Sequence, residues 1–146
     1  MSIWWSLHLR REAASVPLAR RLFLGTMETA GVDPDVSYEL SVALTEACAN
    51  AVEHGGGAVG GLGSEAYRVT AFLDGETCRI EVADAGPGFP GAQAPAARPD
   101  AEHGRGLRLI EELSDHVHFG RSGRGGAVVS FGRILKWKDT RSLLLA

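Results

Sequence analysis

Residues 67–83 read YRVTAFLDGETCRIEVA, and this stretch decides the architecture. The runs 67–73 and 77–83 are rich in β-branched and aromatic residues, and Asp74-Gly75 between them is a hairpin signal. Consecutive strands joined by a tight turn require an antiparallel or mixed sheet. Upstream, residues 3–9 (IWWSLHL) alternate, with Ile3, Trp5, Leu7 and Leu9 on one face of a further strand. A first helix is expected from Ser15 as its cap, through Pro17 in the first turn, to a stop at Gly31. Val16, Ala19, Leu22, Phe23, Met27 and Ala30 fall at helical spacing within it. Asp33-Pro34 opens a second helix, an N-cap followed by proline at the first helical position. It runs to about His54 with an apolar stripe of Leu40, Ala43, Leu44, Ala47 and Ala51, and ends in three glycines.

Residues 55–65 read as a glycine-rich loop, and the alanine- and proline-rich stretch leading to His103 as a lid-like loop. Residues 106–113 read as a short helix, and 115–120 with 126–135 as a closing hairpin. The order is β-α-α-β-β-α-β-β. The expected fold is an α/β two-layer sandwich: a mixed, mainly antiparallel sheet covered on one face by about three helices. Residues 1–135 form one domain and residues 136–146 a C-terminal tail.

The chain has 146 residues, of which 45% are hydrophobic, enough for one domain with a real core. Fifteen basic against eighteen acidic residues leave a net charge of −3, and the thirteen arginines and two lysines are spread out. That argues against a dedicated nucleic-acid binder. No apolar run approaches the length of a membrane helix, and the N-terminus lacks the pattern of a signal peptide. A cytoplasmic setting is expected, with Cys48 and Cys78 as buried packing residues.

Three motifs carry chemistry. Glu46 and Asn50 lie four apart, on one face of the second helix. An amide oxygen can ligate a hard cation such as Mg²⁺, and a carboxylate can deprotonate a nucleophile. Read alone, they are also an ordinary surface glutamate and a tolerated asparagine. Asp84-Ala85-Gly86-Pro87-Gly88 follows a strand. There Asp84 can accept a hydrogen bond from an exocyclic amine such as that of adenine, while Gly86 and Gly88 let backbone approach a flat ring. The bland reading is a turn. His103-Gly104-Arg105-Gly106-Leu107 precedes a helix, where unpaired amides favour an anion and Arg105 adds a phosphate-matching charge. In this order the three describe a pocket for a magnesium nucleotide that is neither a P-loop nor a Rossmann site.

These residues carry a resemblance. TEACANAVEHG (45–55) resembles the N box of the GHKL, or Bergerat-fold, ATPases, DAGPGF (84–89) their G1 box and HGRGL (103–107) their G2 box. Over about residues 5–135 the chain is similar to the anti-sigma-factor serine kinases of bacterial partner-switching systems. The resemblance implies that Asn50 holds Mg²⁺, Glu46 is the general base, and Asp84 bonds adenine with Gly86 and Gly88 making room. It implies Gly104, Arg105 and Gly106 at the phosphates and residues 89–103 as an ATP lid. The implied activity is transfer of phosphate from ATP to a serine of a STAS-type antagonist, together with sequestration of a sigma factor. A homodimer is implied as well, with Trp4 and Trp5 as interface candidates, one of them expected in the core. Arg20 and Arg21 on the first helix are candidate partner contacts. The alternative is a non-catalytic, nucleotide-dependent protein-binding module of the same fold.

Overall fold

The computed structural model describes residues 2–54, 66–84, 102–121 and 126–138, with the backbone alone for 102–105. In chain order the elements are β1 (Ile3–Arg10), α1 (Ser15–Ala30), α2 (Pro34–His54), β2 (Ala66–Leu73), β3 (Thr77–Asp84), α3 (Glu102–Leu113), β4 (His116–Arg121) and β5 (Ala127–Ile134). The five strands form one sheet in the order β1-β2-β3-β5-β4, and every neighbouring pair is antiparallel. Three helices pack on this sheet, so the expected α/β two-layer sandwich is the fold.

The hairpin at Asp74 is closed by that residue's own side chain. Asp74 Oδ1 accepts hydrogen bonds from the amides of Glu76 and Thr77, each at 2.7 Å. These donors hold the carboxyl below the usual carboxylate range. The turn sets the register Leu73↔Cys78, which carries Val69, Ala71, Ile80 and Val82 to the helix side of the sheet.

α2 is the middle helix. It packs against α1 and α3 on its flanks and against β2, β3 and β5 beneath. All five expected stripe residues, Leu40, Ala43, Leu44, Ala47 and Ala51, are buried. Ser37 and Ser41 are buried too, and their hydroxyls donate back to the carbonyls of Asp33 and Tyr38. Burying a hydroxyl without a partner is costly, and these local bonds remove the cost. The α2 cap is as expected: Asp33 Oδ1 accepts from the Asp35 amide at 2.8 Å and from the Val36 amide at 3.4 Å.

α1 departs from expectation in two places. Ala14 is its N-cap and makes no side-chain cap bond. Ser15 is instead the first helical residue, and its hydroxyl donates to the Glu12 carbonyl at 2.7 Å while lying 2.6 Å from the Tyr67 hydroxyl. A partner from β2 outbids the local cap. Leu22 is 42% exposed rather than part of the buried stripe. Val16, Ala19, Phe23 and Met27 already fill the contact, and at 100° per residue Leu22 lies about 100° from their centre. The helix stops at Gly31, whose φ of 86° is left-handed. Its amide donates to Met27 and Glu28, the C-terminal arrangement glycine favours.

The closing hairpin forms as expected. Arg133 on β5 pairs with Glu39 of α2 at 3.1 Å, fastening the strand next to the β4 edge to the middle helix. The first residues of the expected tail are attached to the α1–α2 junction. The Asp33 amide donates to Lys136 O, the Lys138 amide donates to Gly31 O, and Val32 bridges Trp137. Both cysteines are buried. Among the described residues no helix is long and apolar enough to cross a membrane.

Leu44 is fully buried in the helix all other layers touch. Leu44→Ala should therefore lower the unfolding free energy by about 2–5 kcal/mol, read as a lower denaturant midpoint at unchanged m value.

Candidate functional site

Glu46 and Asn50 project from one face of α2, both half-buried. α3 runs alongside, and Gly106 meets Glu46 there. A Cβ built on Gly106 would sit 2.8 Å from Glu46 Oε2. Only a residue without a side chain allows the carboxylate this position. Glu46 of the first motif and Gly106 of the third, sixty residues apart in sequence, therefore lie side by side.

The third motif does not precede its helix. α3 begins at Glu102, so Gly104 and Arg105 lie in its first turn and Gly106 directly after. Glycine disfavours helix, which is why the residues alone read as loop. Burial of Leu107 and Ile110 extends the helix back through them. The amides of residues 102–105 are the four at the N-terminus that have no carbonyl within the helix. They form the positive end of the helix dipole.

Asp84 closes β3, half-buried, and its Oδ1 accepts from the Ala127 amide at 3.2 Å, so β5 fixes the carboxylate's direction. Asp84 faces Tyr67 in the β2–β3 register. Tyr67 in turn reaches under α2, where its hydroxyl contacts the Cys48 thiol, midway between Glu46 and Asn50. The Asp84 end of β3 and the Asn50 end of α2 therefore lie toward the same end of the strands. Gly86, Gly88 and the 89–101 part of the expected lid lie outside the described residues. Glu53 and His54, assigned no chemistry, pair with each other at 3.4 Å on the surface.

The donor chemistry fits a magnesium nucleotide. Glu46 and Asn50 offer hard oxygens, and Mg²⁺ bound through phosphates needs only one or two protein oxygens. The amides of the α3 first turn suit an anion.

Sequence reasoning missed two residues that support this site. Tyr67 reads as an ordinary strand aromatic. Arg11 reads as a loop arginine, yet its guanidinium donates to the carbonyls of Ala51 and Val52 at the end of α2. Neither role leaves a local signal, because both depend on contacts across 19 to 52 positions.

Burial pushes the Cys48 thiol from 9.0 up to about 12, and Tyr67 from 10.0 up to about 12. Cys78, also buried, rises to about 12. Between these values and the ordinary ones, the unfolded chain has lost protons that the folded chain keeps. Stability is therefore full below about pH 9 and falls as pH rises toward 12. The urea midpoint should be lower at about pH 10.5 than at about pH 8, and Ellman's reagent should label neither thiol until the protein is denatured. A midpoint flat across that interval would place the thiols in water.

The family model of the histidine kinase-like ATPase domain matches residues 9–132. The serine-protein kinase RsbW of Bacillus licheniformis is 34% identical over 113 residues, covering 70% of this chain and 69% of that protein. Among solved structures, the RsbU and RsbW domains of Rv1364c from Mycobacterium tuberculosis superpose with a TM-score of 0.64 at 21% identity. That match covers 92% of this chain but 34% of the longer mycobacterial chain. The SiaB–SiaC complex from Pseudomonas aeruginosa gives a TM-score of 0.65 at 12% identity, covering 89% of this chain and 88% of that one. Matched over most of its length and carrying the three boxes in order, the chain belongs to the histidine kinase-like (GHKL) ATPase family, among the RsbW-like anti-sigma-factor kinases.

Proposed function

We propose that this protein binds ATP-Mg, holds a sigma factor inactive, and phosphorylates a serine on a STAS-type anti-sigma-factor antagonist. The observation that carries the reading is the contact of Glu46 with Gly106, which puts a carboxylate beside the N-terminal turn of α3. Asn50, one helical turn away, supplies the oxygen for the magnesium ion. An ion held there would supply charge neutralisation at the phosphates. Glu46 takes the proton from the attacking serine hydroxyl. Asp84 accepts from the adenine amine, with Gly86 and Gly88 giving the ring room. Gly104, Arg105 and Gly106 face the phosphates, and residues 89–103 cover them.

The partner surfaces in this reading are the outward side of α1 and the open side of the sheet. Leu18 and Leu22 are exposed on α1 beside Arg20 and Arg21, an apolar and basic mixture suited to a protein partner. On the open side of the sheet, Trp4 is 65% exposed and stands in register with Phe72. Trp5 packs toward the core and donates to Thr26 Oγ1 at 3.1 Å. We assign the homodimer contact to the Trp4 face and the domain to residues 1–135, acting in the cytoplasm with no direct nucleic-acid contact.

The test is transfer from labelled ATP to a purified STAS antagonist, with nucleotide binding measured in parallel. Glu46→Ala should keep ATP binding and lose on the order of 10²–10⁴-fold in transfer rate. Asn50→Ala should lose the magnesium dependence of binding, and Asp84→Asn the preference for ATP over GTP. Wild-type protein that binds antagonist and ATP without transfer would instead establish the non-catalytic binding module. Gly106→Ala should separate folding from chemistry. Stability should rise by up to about 1 kcal/mol, as for alanine replacing glycine in a helix. Transfer should fall on the order of 10²-fold as Glu46 is displaced.

A further inference from the structure

We propose that Arg11 is a positioning residue for Asn50, holding the last turn of α2 so that the asparagine stays on the face it shares with Glu46. The inference rests on the reading of Asn50 as the magnesium ligand.

The last carbonyls of a helix have no partner within it. In α2, which ends at His54, those of Ala51 and Val52 receive the Arg11 guanidinium. Arg11 Nη2 donates to Val52 O at 2.8 Å, and Nε donates to Val52 O at 3.2 Å and Ala51 O at 3.3 Å. A planar fork of donors on adjacent carbonyls suits arginine in a way lysine does not match. Its positive charge also lies at the negative end of the helix dipole. The sequence beyond His54 begins with Gly55, Gly56 and Gly57, which bring no side chain to hold this end. Asn50 directly precedes Ala51. Loss of helical geometry at 51–54 would break the bonds that residues 47–50 accept and turn Asn50 away from Glu46.

Arg11 is itself fixed to the sheet. It follows Arg10, which pairs with Ala66 at the end of β1. The turn after it is closed by the Glu12 amide donating to Arg10 O at 2.7 Å and the Ser15 amide donating to Glu12 O at 2.9 Å. The Ser15 hydroxyl meets Tyr67, and Tyr67 meets Cys48, so a second contact from the same turn reaches α2 one turn earlier. The β1–α1 turn thus grips α2 at two levels, and the outer grip is Arg11.

The test compares full-length wild type, Arg11→Met and Arg11→Lys by two measurements. The first is amide hydrogen exchange of residues 48–54 without nucleotide. The second is affinity for ATP with Mg²⁺ and, separately, in EDTA. Arg11→Met should speed exchange in that segment roughly 10-fold or more, as expected for loss of a charged hydrogen bond. It should weaken ATP-Mg binding about 10-fold, as for other residues that orient a metal ligand, and leave binding in EDTA as in wild type. Arg11→Lys, which keeps the charge and loses the fork, should recover part of both effects. Unchanged exchange overturns the proposal. So does faster exchange with unaltered ATP-Mg affinity, which would make Arg11 a helix cap and nothing more. Equal losses with Mg²⁺ and in EDTA overturn it as well. Wild-type binding indifferent to magnesium would overturn the Asn50 reading itself, and with it this inference, before any variant is compared.

Discussion

Close approach around α2 is the constraint on which the rest depends. The helix touches α1, α3 and three strands at once. A helix covered on that many sides can be approached closely only if its side chains are small. Ala43, Ala47 and Ala51 meet that need, with Ser37 and Ser41 bonding back to the carbonyls of Asp33 and Tyr38 so that neither of these two hydroxyls is stranded. Packing at interior density then leaves little freedom in where the neighbouring elements lie. Because Glu46 and Asn50 ride on this helix beside the buried stripe, the same contacts that make the core also aim the site.

The candidate site uses few side chains, and its economy suits the phosphoryl transfer proposed for it. Phosphoryl transfer asks a protein chiefly for positioning and charge stabilisation. Much of what the chain offers is backbone: the first-turn amides of α3 and the bare Cα of Gly106 beside Glu46. Asp84 is aimed by an amide of β5, and the end of α2 by the guanidinium of Arg11. Each of these groups is positioned by a different element, so the site assembles only when the sheet, α2 and α3 are all in place.

The legible parts of this sequence were those governed by near neighbours. The antiparallel hairpin at Asp74, the Asp33 cap, the Gly31 stop and the α2 stripe follow from turn chemistry and periodicity. All appear at the expected positions. The readings that failed were local preferences overruled from a distance. Ser15 gave its hydroxyl to a contact with Tyr67 from another strand, and Leu22 was left outside a contact that four other residues already filled. The helix expected to begin at Gly106 was extended back through Gly104 and Arg105 by the burial of Leu107 and Ile110.

The sequence by itself determined the order of elements, the two-layer class, and the types and order of the chemical groups, because periodicity, turn residues and motif spacing are local properties. Tertiary structure alone decided which groups meet. Contact between Glu46 and Gly106, the link from Asp84 through Tyr67 to Cys48, and the hold of Arg11 on α2 all join residues far apart in the chain. No local pattern encodes such pairs. They exist because burying one small-residue helix between two others and a sheet leaves a single close-packed arrangement, and that arrangement brings these groups together.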